Sequence, residues 1–175
     1  MGSNKEGKIF EESIEESANK QNIFCFRVRD VNPMALKNNF SIPKNKYDFL
    51  LFNGERLITA ELKSAKGKSF SFDGKNPKIK PHQVKALTKA SNSKNVHAGL
   101  ILNFRECENR TFYIPINRFN TYTNIAVNGL EHTYNSRVNK SSIPFGICEE
   151  IGIEIKQHKR VSRYAYLLNK LFEEI

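Results

Sequence analysis

Residues 46–68 read KYDFLLFNGERLITAELKSAKGK. Two runs rich in aromatic, leucine and β-branched residues flank Asn53-Gly54, the pair favoured in a two-residue type I′ turn because both positions need positive φ. The stretch therefore predicts a hairpin at the centre of a sheet. Away from the turn it carries Asp48, Glu61 and Lys63, charges that a buried hairpin has no packing reason to hold.

A turn confined to Asn53-Gly54 sets Phe52 opposite Glu55, Leu50 opposite Leu57 and Asp48 opposite Thr59. Side chains alternate along a strand, so Asp48, Thr59, Glu61 and Lys63 fall on one face, with Glu61 the diagonal neighbour of Asp48 at about 7–8 Å. The other face reads Tyr47, Phe49, Leu51, Ile58, Ala60 and Leu62 and is almost wholly apolar. Buried carboxylates are costly without a partner, a metal or a wet cleft. One reading is plain: Lys63 pairs with Glu61 at the open, solvated end of the hairpin. The other is chemical. Two carboxylates with waters suit Mg²⁺ or Mn²⁺, and such a metal lowers the pKa of bound water and offsets charge on a phosphoryl oxygen. Lys63, on the same face, can orient or deprotonate that water.

Composition favours a polyanionic partner. The chain has 175 residues and a formal net charge of +10, from 28 Lys and Arg against 18 Asp and Glu. Nucleic acid is the leading partner for so basic a chain, although charge can serve solubility alone. Cys25, Cys107 and Cys148 are odd in number and lack a CxxC pair, which argues against a disulfide framework or zinc site and for the cytoplasm. No apolar stretch is long enough for a membrane span, and no secretory h-region follows the start.

Elsewhere the pattern alternates between helix and strand. Residues 6–20 predict a helix with Phe10, Ile14 and Ala18 as its apolar stripe. Strands are expected at 23–28, 97–104 and 110–116, and a helix from Pro81 through HQVKALTKAS. Two polar, lysine-bearing connections interrupt them, at 30–46 and 64–80. Residues 117–150 carry no clear period. In 161–175, Val161, Tyr164, Leu168, Leu171, Phe172 and Ile175 space as one face of a terminal helix. The order predicts an α/β (α+β) arrangement, a central mixed sheet flanked by helices, in one domain over 1–175 with a polar protrusion near 29–46.

Asp48, twelve intervening residues and then Glu61-Leu62-Lys63 match the D-x(n)-E-x-K core of the PD-(D/E)xK nuclease superfamily. The surrounding text resembles RecU-type Holliday junction resolvases in four successive places: GKIFEESI (7–14), YDFLLFNGERLITAELKSAKGKSF (47–70), KPHQVKAL (80–87) and HAGLILNF (97–104). The likeness covers roughly 5–120, with an echo at 141–155. It implies a restriction-endonuclease-like fold, a homodimer, and Mg²⁺-dependent symmetric nicking of four-way DNA in recombination and repair, with Mn²⁺ as a substitute. By the same resemblance Asp48, Glu61 and Glu11 are metal ligands, Lys63 is the catalytic lysine and Gln83 supports the site. Helical spacing agrees that Glu11 borders the buried side, whereas Glu12, Glu15 and Glu16 read as exposed.

Lys46-Tyr47 stands where the family has Thr-Thr before its aspartate, and the protrusion is shorter than the family's stalk. The resemblance thus implies nuclease chemistry more directly than junction preference. Expected DNA contacts are Lys37, Lys44 and Lys46 in the protrusion and Lys66, Lys68, Lys75, Lys78 and Lys80 in the second connection, with Arg27, Arg29 and His82 beside them. Two alternatives stand next to the resolvase reading. One is a restriction-type or general duplex nuclease of the same superfamily; the other is a non-catalytic DNA-binding protein with the same fold.

Overall fold

A computed structural model describes residues 3–28 and 45–175. Six strands form the central sheet in the order β1 (Phe24–Arg27), β2 (Phe49–Phe52), β3 (Leu57–Ala65), β5 (Val96–Phe104), β6 (Arg110–Pro115) and β8 (Ile153–Glu154). The β3–β5 pair is parallel and the other pairs are antiparallel, so the sheet is mixed. Between β3 and β5 the chain forms the short strand β4 (Ser69–Ser71) and helix α2 (Pro81–Ala90). A parallel pair needs such a crossover because no tight turn can join it.

Each face of the sheet is covered. On one side α1 (Ser3–Lys20), α5 (Leu168–Glu174) and the ribbon of β9 (Gln157–Lys159) and β10 (Tyr164–Tyr166) pack on Phe49, Leu51, Ile58, Ala60, Leu62 and Ile101. Phe10, Ile14 and Ala18 are the buried stripe of α1, at the four-residue spacing read from the sequence. On the other side α2, α3 (Ile116–Asn128) and α4 (Phe145–Ile151) close over Leu100, Leu102, Phe112 and Ile114. Here β4 pairs with β7 (Ser142–Pro144), tying the long connection to the far end of the chain. Gly99 is required where β5 meets β6: a Cβ there would stand 2.5 Å from the carbonyl oxygen of Ile114. No helix among the described residues is long and apolar enough to cross a membrane.

Two expectations are corrected. The β2–β3 turn is not a type I′ turn centred on Asn53-Gly54. Phe52 pairs with Leu57 and Leu50 with Thr59, so the loop holds the four residues 53–56. Gly54 has a φ of 103°, but Asn53 does not share its positive φ, and a type I′ turn needs both. Instead the Asn53 Oδ1 accepts hydrogen bonds from the N–H groups of Glu55 (3.0 Å) and Arg56 (2.9 Å). Tertiary structure holds this wider loop. The Arg56 guanidinium donates to the carbonyls of Phe172 and Ile175, both at 2.6 Å, securing the end of α5. Each residue's partner moves by two positions relative to the expected pairing, an even slip, so the division of side chains between the faces is unchanged.

The second correction concerns 161–175. Tyr164–Tyr166 is a strand paired with Gln157–Lys159, and the helix begins only at Leu168. Val161 is fully exposed at the ribbon's tip, whereas Leu168, Leu171 and Phe172 are buried as the helical spacing required.

Candidate active site

β3 outruns β2, and the site lies where this occurs. The β2–β3 pairing ends with Phe49 opposite Ala60. Just before it, Asp48 donates its N–H to the carbonyl of Ala60 (3.0 Å), and its Oδ2 accepts from the N–H of Leu62 (2.9 Å). The backbone of β3 thus fixes the Asp48 carboxylate beside Glu61. Alternation sends Ile58, Ala60 and Leu62 into the α1 side of the core and leaves Thr59, Glu61 and Lys63 on the opposite face.

Glu61 is 1% exposed. Its Oε1 accepts from the Lys63 ammonium and from the Gln83 side-chain amide. Gln83 reaches it from the first turn of α2, where Pro81 starts the helix and the Gln83 Oε1 accepts from the Lys80 N–H at 3.1 Å. One side chain therefore both closes the N-terminus of α2 and holds a carboxylate on the sheet.

Burial, and then the neighbouring charge of Asp48, push the Glu61 carboxyl above the usual carboxylate range; Lys63 pulls in the other direction. Glu11, on α1, is also raised, mainly by burial, with Arg27 opposing and Asp48 adding to the rise. A single lysine does not compensate the paired acids.

Glu11, Asp48, Glu61, Lys63, Lys80, His82 and Gln83 line one cleft of about 330 Å³. The structure brings together all five residues expected to carry chemistry. Glu11 is not free within the cleft, however: its carboxylate is ion-paired with the Arg27 guanidinium, which also lies 3.7 Å from Glu15. Among the described residues no three Asp, Glu, His or Cys side chains converge as a cation cage. Asp48 and Glu61 still fit a hard divalent cation, because a buried and a half-buried carboxylate side by side, short of positive charge, are the oxygen donors such ions take.

The remaining expected contacts are more dispersed. Lys46, Lys66, Lys68, Lys75, Lys78 and Lys80 are exposed. Lys66 lies 3.6 Å from Glu106, and Lys78 is over the Phe70 ring. Arg27 faces Glu11 and Glu15, and His82 lines the cleft. Arg29, Lys37 and Lys44 lie outside the described residues, as does most of the expected protrusion. Sequence reading missed Arg27 as the partner of Glu11. The available signal was weak: two acids one turn apart on α1 and one basic residue on the neighbouring strand.

No family model matches the chain. Over all 175 residues it is 49% identical to the SPbeta prophage-derived protein YotM of Bacillus subtilis, 89% of which it covers, and it belongs to the YotM family. Among solved structures it is similar to Hjc, a Holliday junction resolvase of the archaeal hyperthermophile Archaeoglobus fulgidus. The TM-score is 0.50 at 13% identity, covering 84% of this chain and 93% of Hjc. The chain thus has the restriction-endonuclease-like fold: a central mixed sheet flanked by helices.

Proposed function

We propose that this YotM-family chain is a Mg²⁺-dependent, structure-selective DNA endonuclease that nicks four-way junctions symmetrically as a homodimer. The observation that carries the reading is the Asp48–Glu61–Lys63 cluster, its Glu61 buried against Gln83, in a cleft flanked by exposed lysines. A fold shared with a junction resolvase supports it, as does the resemblance of the sequence around these residues to RecU-type resolvases.

Asp48 and Glu61 would hold the cation, which when bound supplies a low-pKa water and charge stabilisation at the phosphate. The chain's own residues do the positioning. Asp48 is oriented by the Leu62 N–H, and Glu61 by Gln83 and Lys63. Lys63, whose ammonium contacts Glu61 at the same end of β3, would orient the attacking water or meet the developing negative charge. Lys80 and the lysines of 64–80 would track phosphates without reading bases.

The test places the protein, at equal concentration in Mg²⁺, on a synthetic four-way junction and on linear duplexes of the same arm sequences. Paired nicks at symmetric positions on the junction support resolution. Equal cutting of linear duplex supports the restriction-type alternative. Junction binding with no metal-stimulated product supports a non-catalytic binding protein.

A further inference from the structure

Beside the catalytic cleft runs a second groove that none of this chemistry uses. It has a volume of about 540 Å³ and lies between Tyr47 and α2. Asn45 and His82 line both it and the catalytic cleft, so the two are continuous. Its α2 wall shows Lys85 and Lys89 with Ala86 and Ala90 as the floor between them; Lys46 and Tyr47 form the other wall.

Three features select the ligand. Lys46, Lys85 and Lys89 are exposed, no acidic residue lines the groove, and among the described residues none of the three is held in an ion pair. This is unpartnered positive charge. Lys85 and Lys89 stand four residues apart on α2, about 6 Å along the axis, a spacing that consecutive phosphates of an extended strand can follow. Tyr47 is half-buried and braced on the core, which presents a rigid aromatic surface within the groove. Alternating positive charge and an aromatic platform recognise unpaired nucleic acid, because every base has a face to stack. The volume falls in the range of a small-ligand site, roughly 300–1,000 Å³, and is far too small for a duplex.

We propose that this groove seats an unpaired DNA strand leaving the Asp48–Glu61 site, with a base on Tyr47 and successive phosphates on Lys85 and Lys89. The inference rests on the nuclease reading and concerns the strand beyond the scissile phosphate: branched DNA that presents an unpaired strand there, by an overhang or by opening at the branch point, is held more tightly than fully paired DNA.

The test uses full-length Asp48→Asn protein, whose asparagine oxygen retains an acceptor for the Leu62 N–H, so that probes are bound without being cut. Affinity is measured by fluorescence anisotropy for a blunt duplex and for the same duplex carrying a 3′ or a 5′ single-stranded overhang. In this background Lys85→Ala with Lys89→Ala should weaken binding of one overhang polarity about tenfold and leave the blunt duplex within about twofold. The overhang's salt slope should fall by about 1.4, two phosphate contacts at roughly 0.7 each. Tyr47→Phe should keep overhang affinity, whereas Tyr47→Leu, which retains apolar packing, should lose roughly 5- to 150-fold. Unchanged overhang binding in the lysine variant overturns the inference, as does an equal loss on blunt duplex. If the parent binds none of the DNA probes, the nuclease reading falls and takes this inference with it, a result distinct from the other two.

Discussion

Arg27, on β1, holds the Glu11 carboxylate of α1 in an ion pair beside the candidate cleft. The pair is partly shielded, with the Arg27 side chain 17% and the Glu11 side chain 29% exposed. Arg27 neutralises the acid that would otherwise stand beside Asp48 as a third carboxylate. Replacing it by Gln leaves a half-buried Glu11 without its ion-pair partner, with Lys63 the remaining positive charge acting on it among the described residues. Arg27→Gln should therefore destabilise the protein by about 1–2 kcal/mol, between the surface and buried limits for broken pairs. It should also gain more from a divalent cation than the parent does. Thermal denaturation with and without Mg²⁺ checks both, and an equal Mg²⁺ shift in the two proteins counts against this role.

Gln83 couples two parts of the site, since its amide donates to Glu61 while its oxygen accepts from Lys80 at the start of α2. Gln83→Ala strips a donor from a buried carboxylate and an acceptor from the helix end. A loss of about 1–3 kcal/mol is expected, the cost of buried polar groups left unpaired. Urea denaturation measures it directly, and a change below about 0.5 kcal/mol would show that water replaces the amide at no cost.

Glu61 should make the metal-free protein less stable as pH rises. Its folded carboxyl titrates above the ordinary range because of burial and Asp48, so between the unfolded value and the raised folded value the native state binds more protons than the unfolded state. Stability is then fully present below the ordinary carboxylate pKa and is lost as pH climbs through the folded one. Glu61→Gln, which keeps an oxygen for Gln83 and Lys63 and brings an amide donor toward Asp48, should remove this slope and leave the metal-free protein more stable at neutral pH. Denaturation midpoints from pH 4 to 9 check the sign; a slope that persists in the variant points to another group.

Much of the site was legible because it depends on the simplest strand rule. Alternation puts Glu61 and Lys63 on one face, and Asp48 joins them both in the expected register and in one that differs from it by an even slip. The turn itself was not legible. Asn53-Gly54 has a strong local preference, yet Arg56 is held by carbonyls at Phe172 and Ile175, more than a hundred residues away in the chain. The C-terminal stretch misled for a related reason. Val161 and Tyr164 fit a helical period by spacing alone, while the strand at Tyr164–Tyr166 depends on pairing with Gln157–Lys159. Glu61's need for a partner was visible in its burial pattern, but Gln83 and Glu11 were reached through resemblance. Arg27 as a partner of Glu11 crosses from strand to helix and leaves no periodic trace.

Asp48 and Glu61 would together form a divalent-metal site that cleaves DNA. Its most direct test is cleavage of an end-labelled four-way junction, mapped on all four strands with Mg²⁺ and with EDTA, by wild-type protein and by Asp48→Asn and Glu61→Gln. The expected result is paired, metal-dependent nicks by wild type and a loss of at least about 100-fold in each variant, consistent with removal of an electrostatic catalytic group. Cutting by Asp48→Asn at the wild-type rate, or undiminished wild-type cutting in EDTA, would contradict the account.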